Sequence, residues 1–240
     1  MDAASGSPLV SIVIPTYMEE KYLPDTLASI RAQKVSFSYE ILVADAHSPD
    51  RTQAIAEEFG GKVVLCPKST VAEGRVLGAR EARGDILIFT TGDNRYVEGW
   101  LENMVKPFED ESVAVVIGKI MFNGGTKYED LFSEKVLFPA SVFLSKIGIY
   151  YAHGEAFAIR RSVYDKVGGI DPALVTADDT DLAMKSAKVG KIMYSEVATV
   201  LTSRRRIEEW GTAYFLCFHV TNFFLTNLFK KPLGTYEVIR

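Results

Sequence analysis

Short apolar runs alternate with amphipathic stretches through the first part of the chain. Each run is rich in β-branched residues and is followed by proline or by small and polar residues, a pattern typical of buried strands. The stretches between the runs repeat apolar residues at helical spacing, as Leu23, Leu27 and Ile30 do. Strands that alternate with helices in this way favour an α/β fold, a mostly parallel Rossmann-like sheet with helices on both faces. The pattern predicts strands over 9–15, 39–45, 62–66 and 85–90, helices over 20–33 and 71–82, and another helix opened by Ser48 as cap and Pro49.

The second part of the chain is less regular. A long apolar and aromatic segment fills 128–149, and a helix predicted over 177–189 begins with several acids and ends at Gly190. The last predicted helix, over 212–229, is rich in aromatic residues. The remaining predicted strands are 113–118, 153–160, 191–194 and 198–203.

The chain has neither an internal repeat nor a Pro/Gly/Ser-rich linker, which predicts one folded domain over residues 9–206. Residues 1–8 are small and polar and lack the features of a signal peptide, so we expect a flexible tail there. Residues 207–240 form a C-terminal appendage whose aromatic content suggests contact with a membrane.

The composition of the chain argues against some classes of protein. A formal net charge of -4 argues against a general nucleic-acid-binding protein, which usually carries a basic excess. The two cysteines, Cys66 and Cys217, show neither a disulfide framework nor a zinc-binding spacing, which favours a reducing, cytoplasmic setting.

Polar residues follow three of the predicted strands. They are Thr16 and Tyr17 after the first, Asp45 after the second and Asp93 after the fourth. Ligands of open parallel sheets bind beyond the carboxyl ends of the strands, so these residues are expected at one ligand site. Neither a glycine-rich dinucleotide fingerprint nor a P-loop is present. An aspartate can accept hydrogen bonds from a base or ribose, and one aspartate is enough to hold Mg²⁺ against a diphosphate, since phosphates and water complete its octahedron.

Each acid also has a structural alternative. Asp45 is also suited to capping the following turn, and Asp93 with Asn94 to forming an ordinary turn pair. The acids of 178–181 would stabilise a helix N-terminus by roughly 0.3–1 kcal/mol each, with Thr176 and Asp179 imitating a capping box. Arg75 would then be a solvated helix arginine. These alternatives give no reason for Asp45 and Asp93 to share one sheet edge.

Four segments in order carry a family resemblance: "VSIVIPTYMEEKYLPDTLASI", "EILVADAHSPDRT", "EGRVLGAREARGDILIFTTGDN" and "GIDPALVTADDTDLAMKSAKVG". With this set, residues 9–206 resemble the family 2 glycosyltransferases. The resemblance implies the glycosyltransferase A fold and transfer of a sugar, with inversion, from a nucleotide-diphosphate sugar, aided by Mn²⁺ or Mg²⁺. The family's Asp-x-Asp motif appears here as Thr91-Gly92-Asp93, so its first acid is missing, and the family's Glu-Asp pair appears as Asp178-Asp179.

The resemblance also implies roles for individual residues. Asp179 is the expected general base and Asp93 the metal ligand. The expected nucleotide-binding residues are Pro15, Thr16, Tyr17, Glu19, Asp45, Arg75, Thr91 and Gly92. The expected sugar and acceptor residues are His153, Gly154, Glu155 and Asp178, and Arg204, Arg206 and Trp210 are expected near the diphosphate.

Among the options of this family we favour GDP-mannose or a UDP-hexose as donor and a lipid-linked glycan or polyprenyl phosphate as acceptor, at the cytoplasmic face of the cell membrane. A non-catalytic relative that binds a sugar nucleotide beside a membrane is the alternative. A nucleotidyltransferase would show a glycine- and arginine-rich triphosphate loop, which residues 15–21 lack.

The aromatic segment over 212–229 carries no charge and is flanked by the basic clusters Arg204–Arg206 and Lys230-Lys231. Its polar positions His219, Asn222 and Thr226 fall on one narrow helix face. These features predict an amphipathic helix that lies in a membrane interface, with a buried core helix as the alternative. A full membrane span would need about 20 predominantly apolar residues.

Overall fold

The computed structural model describes residues 9–235, so the tail predicted over 1–8 and the last five positions of the C-terminal segment lie outside it. In the described residues, eight strands form one sheet, and helices cover both of its faces. The strands are β1 (Val10–Thr16), β2 (Tyr39–Asp45), β3 (Lys62–Leu65), β4 (Ile86–Phe89), β5 (Arg95–Tyr96), β6 (Val113–Phe122), β7 (Phe157–Arg160) and β8 (Lys191–Thr202). The helices are α1 (Leu23–Arg31), α2 (Thr52–Glu58), α3 (Val71–Glu81), α4 (Trp100–Val105), α5 (Lys127–Phe132), α6 (Phe138–Ser145), α7 (Arg161–Lys166), α8 (Asp178–Ser186), α9 (Arg205–Trp210) and α10 (Thr212–Phe224).

The sheet has the strand order β3-β2-β1-β4-β7-β6-β8-β5. β7 runs antiparallel to both of its neighbours and β5 runs antiparallel to β8, while the other pairs are parallel. The prediction of a mostly parallel α/β sheet is therefore confirmed. β1 pairs with β2 on one side and with β4 on the other, so the chain leaves β1 in the middle of the sheet. Such a reversal of strand order opens a crevice at the carboxyl ends, where ligands of this class of fold bind.

Alternate residues of the central strands pack into two apolar layers, one on each face of the sheet. Ile12 packs with α1, α2 and α4 on one face, whereas Val13 packs with α3, α7 and α8 on the other. α1 contributes Leu23, Leu27 and Ile30, which the helical spacing predicted to share one face and which are fully buried. Complete burial of such a side chain stabilises the fold by roughly 1.5–3 kcal/mol.

Several predicted boundaries are wrong for identifiable reasons. α2 begins at Thr52 and Ser48 is not its cap, because the Ser48 hydroxyl is already bound to Asp45. The two strands predicted over 191–203 are one strand, β8, whose register against β6 shifts after Gly118. Such an irregularity adds residues to one strand without ending it, so an interrupted apolar pattern can still belong to a continuous strand.

The C-terminal helix buries two of its polar residues and exposes several apolar ones. Asn222 and Thr226 are buried, and Asn222 Oδ1 accepts hydrogen bonds from the Thr176 hydroxyl and a backbone N–H. Val220 and Phe224, on the outer face, are both more than half exposed. The alternative of a buried core helix is therefore wrong. A π-helical turn, Leu225–Phe229, continues α10, and no helix within residues 9–235 is long and apolar enough to cross a membrane.

Candidate active site

The carboxyl ends of β1 and β2 are joined through Asp45, which lies beside Thr16 in the parallel register. The Thr16 and Ser48 hydroxyls donate to Asp45 Oδ1 at 3.0 and 2.5 Å, and the Ser48 N–H and the Gln53 amide donate to Oδ2, both at 2.8 Å. Asp45 is fully buried, so its oxygens are engaged within the protein. The carboxylate therefore closes the turn after β2, and a contact with a base would have to replace one of these donors.

Tyr17 and Pro15 lie next to this turn, at the end of β1. Lys68 Nζ is 2.6 Å from the Tyr17 hydroxyl and 4.2 Å from the centre of its ring, so a cation covers the tyrosine face. Pro15 packs against Gly74 of α3, where an added Cβ would come within 3.1 Å of the proline ring. The end of β1 thus presents one aromatic and one cyclic side chain, both held by neighbouring elements.

The strand end after β4 delivers Asp93 into the cleft. The Thr91 hydroxyl donates to Asp93 Oδ1 at 2.8 Å, so the residue that replaces the family's first acid orients the second. Gly92 packs so closely on the β1 loop that an added Cβ would lie 3.2 Å from both Thr16 and Glu19. Asn94 is buried, and its backbone carbonyl accepts a hydrogen bond from the Thr26 hydroxyl of α1, which holds the turn in place.

Asp93 Oδ2 faces a cation supplied by α9. Arg205 Nε lies 3.0 Å from Asp93 Oδ2, and the two terminal nitrogens of Arg205 donate to the Glu19 carboxylate at 3.0 and 2.8 Å. The guanidinium also lies 5.0 Å from the centre of the Tyr22 ring. Arg205 was missed by sequence reasoning, which expected Arg204 and Arg206 at this place. Three consecutive arginines on a helix point in three directions, and nothing local to the run indicates which one faces the site.

The other two arginines of the run have different partners. Arg204 pairs with Glu129 at 2.9 Å and with Glu208 at 3.2 Å. Arg206 lies 4.8 Å from the centre of the Trp210 ring, and its charge opposes the increase that burial causes in the pKa of Glu155. Trp210 packs edge-on against Tyr214 of α10 and so joins α9 to α10.

A buried ion pair connects α3 with the start of α8. Arg75 Nη1 lies 2.6 Å from Asp178 Oδ2, and both side chains are less than a tenth exposed. Arg75 is thus no solvated helix arginine, and that alternative is wrong. Its guanidinium lies against Gly154, where a built Cβ would be only 1.7 Å from Arg75 Nη2. Glycine at this position is therefore required for Arg75 to reach Asp178.

Next to this pair, the carboxyl group of Asp179 has a pKa that is shifted towards neutral pH. Burial together with repulsion from Asp178 and Glu155 raises its pKa to about 7, against the opposing effect of Arg75. The residue before α8, Ala177, has a left-handed backbone with φ 55°, a conformation that costs a non-glycine residue about 1–3 kcal/mol. The capping box proposed for this helix is absent, since the Thr176 hydroxyl bonds to Asn222 and to the Leu233 carbonyl.

The Glu155 carboxyl group interacts electrostatically with Asp93 after β4 and with Asp179 at the start of α8. Burial raises its pKa, Asp93 adds to the increase, and Arg75 and Arg206 oppose it. His153 is its neighbour, with Nδ1 3.8 Å from the Glu155 carboxylate. Burial lowers the pKa of His153 to about 4, so the imidazole is neutral.

Within residues 9–235, no three His, Cys, Asp or Glu side chains converge as a ready metal centre. Asp93 and Glu19 do converge on one cationic group, the Arg205 guanidinium. Two hard carboxylates at the edge of a crevice suit Mn²⁺ or Mg²⁺ when a diphosphate and water supply the remaining ligands. The donor set therefore fits a divalent ion that arrives together with a phosphate-bearing substrate.

Comparison with solved structures identifies the architecture. A mannosyltransferase from Pyrobaculum calidifontis, solved in complex with GDP-Man and Mn²⁺, superposes with a TM-score of 0.70 over 94% of this chain and 64% of that one, at 21% identity. TarS from S. aureus, solved with UDP-GlcNAc, gives a TM-score of 0.65 over 82% of this chain and 58% of its own, at 22% identity. These are glycosyltransferase A folds, as the sequence predicted.

Sequence relatives agree with this assignment. Glycosyltransferase AglE of Haloferax volcanii is 28% identical over 198 residues, which are 78% of this chain and 64% of AglE. A dolichol-phosphate mannosyltransferase of Pyrococcus furiosus is 28% identical over 169 residues, 66% of this chain and 48% of its own. This chain therefore spans about half to two thirds of the length of these relatives. The model of the family described as "Glycosyl transferase family 2" matches residues 11–168, a stretch that includes the ends of β1, β2 and β4 and both Arg75 and Glu155. By its fold, its ordered strand-end motifs and this match, the chain belongs to glycosyltransferase family 2.

Proposed function

We propose that this protein transfers a hexose from a nucleotide-diphosphate sugar to a hydroxyl group of an acceptor, with inversion at the anomeric carbon. The observation that carries the proposal is the acid pair at the start of α8, where the buried Arg75–Asp178 ion pair adjoins Asp179 and where burial and two neighbouring acids raise the pKa of Asp179 to about 7. A general base works best when its pKa lies near the working pH, and such a base contributes typically about 10²–10⁴-fold to the rate. A residue that served only to cap a helix would gain nothing from this environment.

In the proposed reaction Asp179 accepts the proton of the acceptor hydroxyl. The hydroxyl oxygen forms a bond to the anomeric carbon while the bond from that carbon to the diphosphate oxygen breaks. The electron pair of that bond leaves with the nucleoside diphosphate. Arg75 holds Asp178 beside Asp179. In this proposal Asp178 accepts a hydrogen bond from the sugar or the acceptor. Bound Mn²⁺ or Mg²⁺, held by Asp93, would supply charge neutralisation for the leaving diphosphate.

Two donor classes are consistent with the relatives, and we propose GDP-mannose or a UDP-hexose. The Pyrobaculum enzyme was solved with GDP-Man, and TarS with UDP-GlcNAc. A thermal-shift panel of GDP-mannose, UDP-glucose and UDP-GlcNAc, each with and without Mn²⁺ or Mg²⁺, tests this. A ligand at about a hundred times its dissociation constant stabilises a protein by about 2.7 kcal/mol, which is readily measured. A shift confined to one base and dependent on metal identifies the donor, whereas no shift with any of them contradicts the proposal.

We further propose that the acceptor is lipid-linked, a glycan or a polyprenyl phosphate, and that the protein works at the cytoplasmic face of the cell membrane. The support is the exposed apolar surface of α10 and its continuation, where Phe224, Leu228 and Phe229 are between 52 and 65% exposed. Large exposed apolar patches mark contact sites for membranes or partners, and lysines beside them can reach lipid headgroups. Lys230 and Lys231 follow this surface directly.

Liposome flotation tests the membrane proposal. Replacing Phe224, Leu228 and Phe229 together by serine should abolish flotation with anionic vesicles without unfolding the protein, because these side chains do not contribute to the core. Leu65→Ser is the matched control, since Leu65 is 55% exposed at the far edge strand β3. Equal flotation of both variants, or none for the wild type, would count against the proposal.

A second candidate is a non-catalytic relative that binds a sugar nucleotide. It is favoured by the replacement of the first motif acid by Thr91 and by the engagement of Asp93 with Arg205. Metal-dependent nucleotide binding without turnover or hydrolysis of any donor in the panel would favour this candidate.

A further inference from the structure

Arg205 bridges the two carboxylates at the donor end of the cleft. Its Nε faces Asp93 and its two terminal nitrogens face Glu19, all at 2.8–3.0 Å. Arg205 is 17% exposed, Asp93 12% and Glu19 6%, so the bridge is largely withdrawn from water. A planar guanidinium that meets carboxylates in this way makes strong, oriented charge-assisted hydrogen bonds.

This bridge lies where a metal ion would have to bind. A divalent cation on Asp93 Oδ2 would take the oxygen that Arg205 Nε approaches to 3.0 Å. Two cations that share one carboxylate oxygen repel strongly in a poorly solvated site. Arg205 and a metal ion on Asp93 therefore exclude each other, although the same carboxylates attract both.

We propose that Arg205 is a resident counter-ion of the ligand-free enzyme, which yields Asp93 to the metal and then pairs with the diphosphate. The proposal rests on the function proposed above. A guanidinium is suited to both states, because its fork of donors matches carboxylate and phosphate oxygens equally well. The exchange of partners requires only a movement of the side chain or of the short helix α9 that carries it.

The charges of the site balance in both states. Asp93, Glu19 and Arg205 together carry one net negative charge in the ligand-free protein. A dication and the two negative charges of the diphosphate in a nucleotide-diphosphate sugar add nothing to that sum. A metal ion that binds alone, in contrast, must displace Arg205 from Asp93 when no phosphate is present to pair with the guanidinium. A diphosphate that binds without the metal is repelled by the two carboxylates. Metal and nucleotide should therefore bind the wild-type protein cooperatively, each being weak without the other.

The test measures Mn²⁺ binding directly, by electron paramagnetic resonance of the free ion, without any turnover. Arg205→Met should bind Mn²⁺ in the absence of nucleotide at least about tenfold more tightly than wild type, since it removes a competing charge-assisted contact to Asp93. In the double variant Arg205→Met/Asp93→Asn this gain should disappear. Arg51→Met is the matched control, because it removes an arginine whose side chain pairs with Glu58 at 2.9 Å on the surface.

The second arm adds GDP or UDP. In the wild type, nucleoside diphosphate should tighten Mn²⁺ binding strongly, and in Arg205→Met this cooperativity should fall by about tenfold or more because the diphosphate has lost its arginine. Arg205→Lys covers the case in which the methionine variant does not fold. A lysine keeps the charge but cannot span both carboxylates, so Mn²⁺ alone should again bind more tightly than to the wild type.

The outcomes separate this inference from the function on which it rests. Unchanged or weaker Mn²⁺ binding by the folded Arg205 variants would overturn the counter-ion proposal and make Arg205 a residue that merely positions Asp93 and Glu19. A wild type that binds neither GDP nor UDP with any metal would instead contradict the proposed function. The Mn²⁺ arm without nucleotide would still decide the role of Arg205.

Discussion

Replacement of Asp179 by asparagine should inactivate the protein and stabilise it at the same time. Asparagine has nearly the shape of a protonated aspartic acid but carries no charge and accepts no proton. If Asp179 is the general base, turnover should fall by about 10²–10⁴-fold while the affinity for the donor nucleotide stays within a factor of about two. The same environment that tunes this carboxyl also makes its ionised form costly to the fold.

The magnitude follows from the pKa. Burial and the neighbouring acids raise it from 3.8 to about 7. For an acid whose pKa is raised by folding, the protonated form is the stable one, so stability is lost as the pH rises from about 4 through about 7. At about 1.4 kcal/mol for each tenfold change in the proton equilibrium, ionisation costs at most about 4 kcal/mol at pH 8, about 2 kcal/mol at pH 5 and almost nothing at pH 3. Asp179→Asn should recover that free energy and melt up to about 10 °C above the wild type at pH 8, with no difference at pH 3.

The assay is a pair of measurements on each variant, thermal unfolding between pH 3 and pH 8 and the pH dependence of turnover. Turnover of the wild type should increase as the pH rises through about 7, since Asp179 must lose its proton to act. Asp181→Asn is the matched control on the same helix, because Asp181 pairs with Lys185 at 2.6 Å across one helical turn. Its loss should lower stability by less than about 1 kcal/mol and leave turnover unchanged.

Two results would refute this reasoning. One is an Asp179→Asn variant that keeps turnover within about tenfold of the wild type. The other is a variant that melts below the wild type at pH 8, as expected for a residue that only stabilises a helix N-terminus.

Three further predictions concern the strand ends and their support. Asp93→Ala should abolish Mn²⁺-dependent nucleotide binding in calorimetry, whereas Thr91→Val, which removes one hydrogen bond of 2.8 Å to Asp93, should cost about tenfold at most; equal losses would contradict the assignment. Gly154→Ala would place a Cβ 1.7 Å from the Arg75 guanidinium and break a buried ion pair, so it should lower stability to unfolding by about 3–5 kcal/mol and reduce turnover with it; a normal melting temperature would show that Arg75 can yield. Asp45→Ala leaves buried donors unpaired and should lower both stability and affinity for GDP or UDP; unchanged nucleotide affinity would make Asp45 a turn residue alone.

The sequence by itself determined the sheet and the edge at which the acids meet. Apolar periodicity of two and of 3.6 separates strands from helices without reference to the rest of the chain. The order of strands and helices and the handedness of the crossovers then bring the carboxyl ends of β1, β2 and β4 to one crevice. Asp45 ends β2 and Asp93 lies four residues after β4, so their placement depends mainly on local structure and topology.

The ion pairs of the site and the pKa values of its acids were decided by tertiary structure alone. Arg205 meets Glu19 across 186 residues of sequence, and Arg75 meets Asp178 across 103. The pKa of Asp179 depends on its burial and on three charged residues from other parts of the chain or its own helix start. The same holds for α10, whose spacing revealed a polar face but not that this face turns inward. Hydrogen-bond partners, burial and charge interactions depend on the distances between elements, and no local pattern of residues encodes those distances.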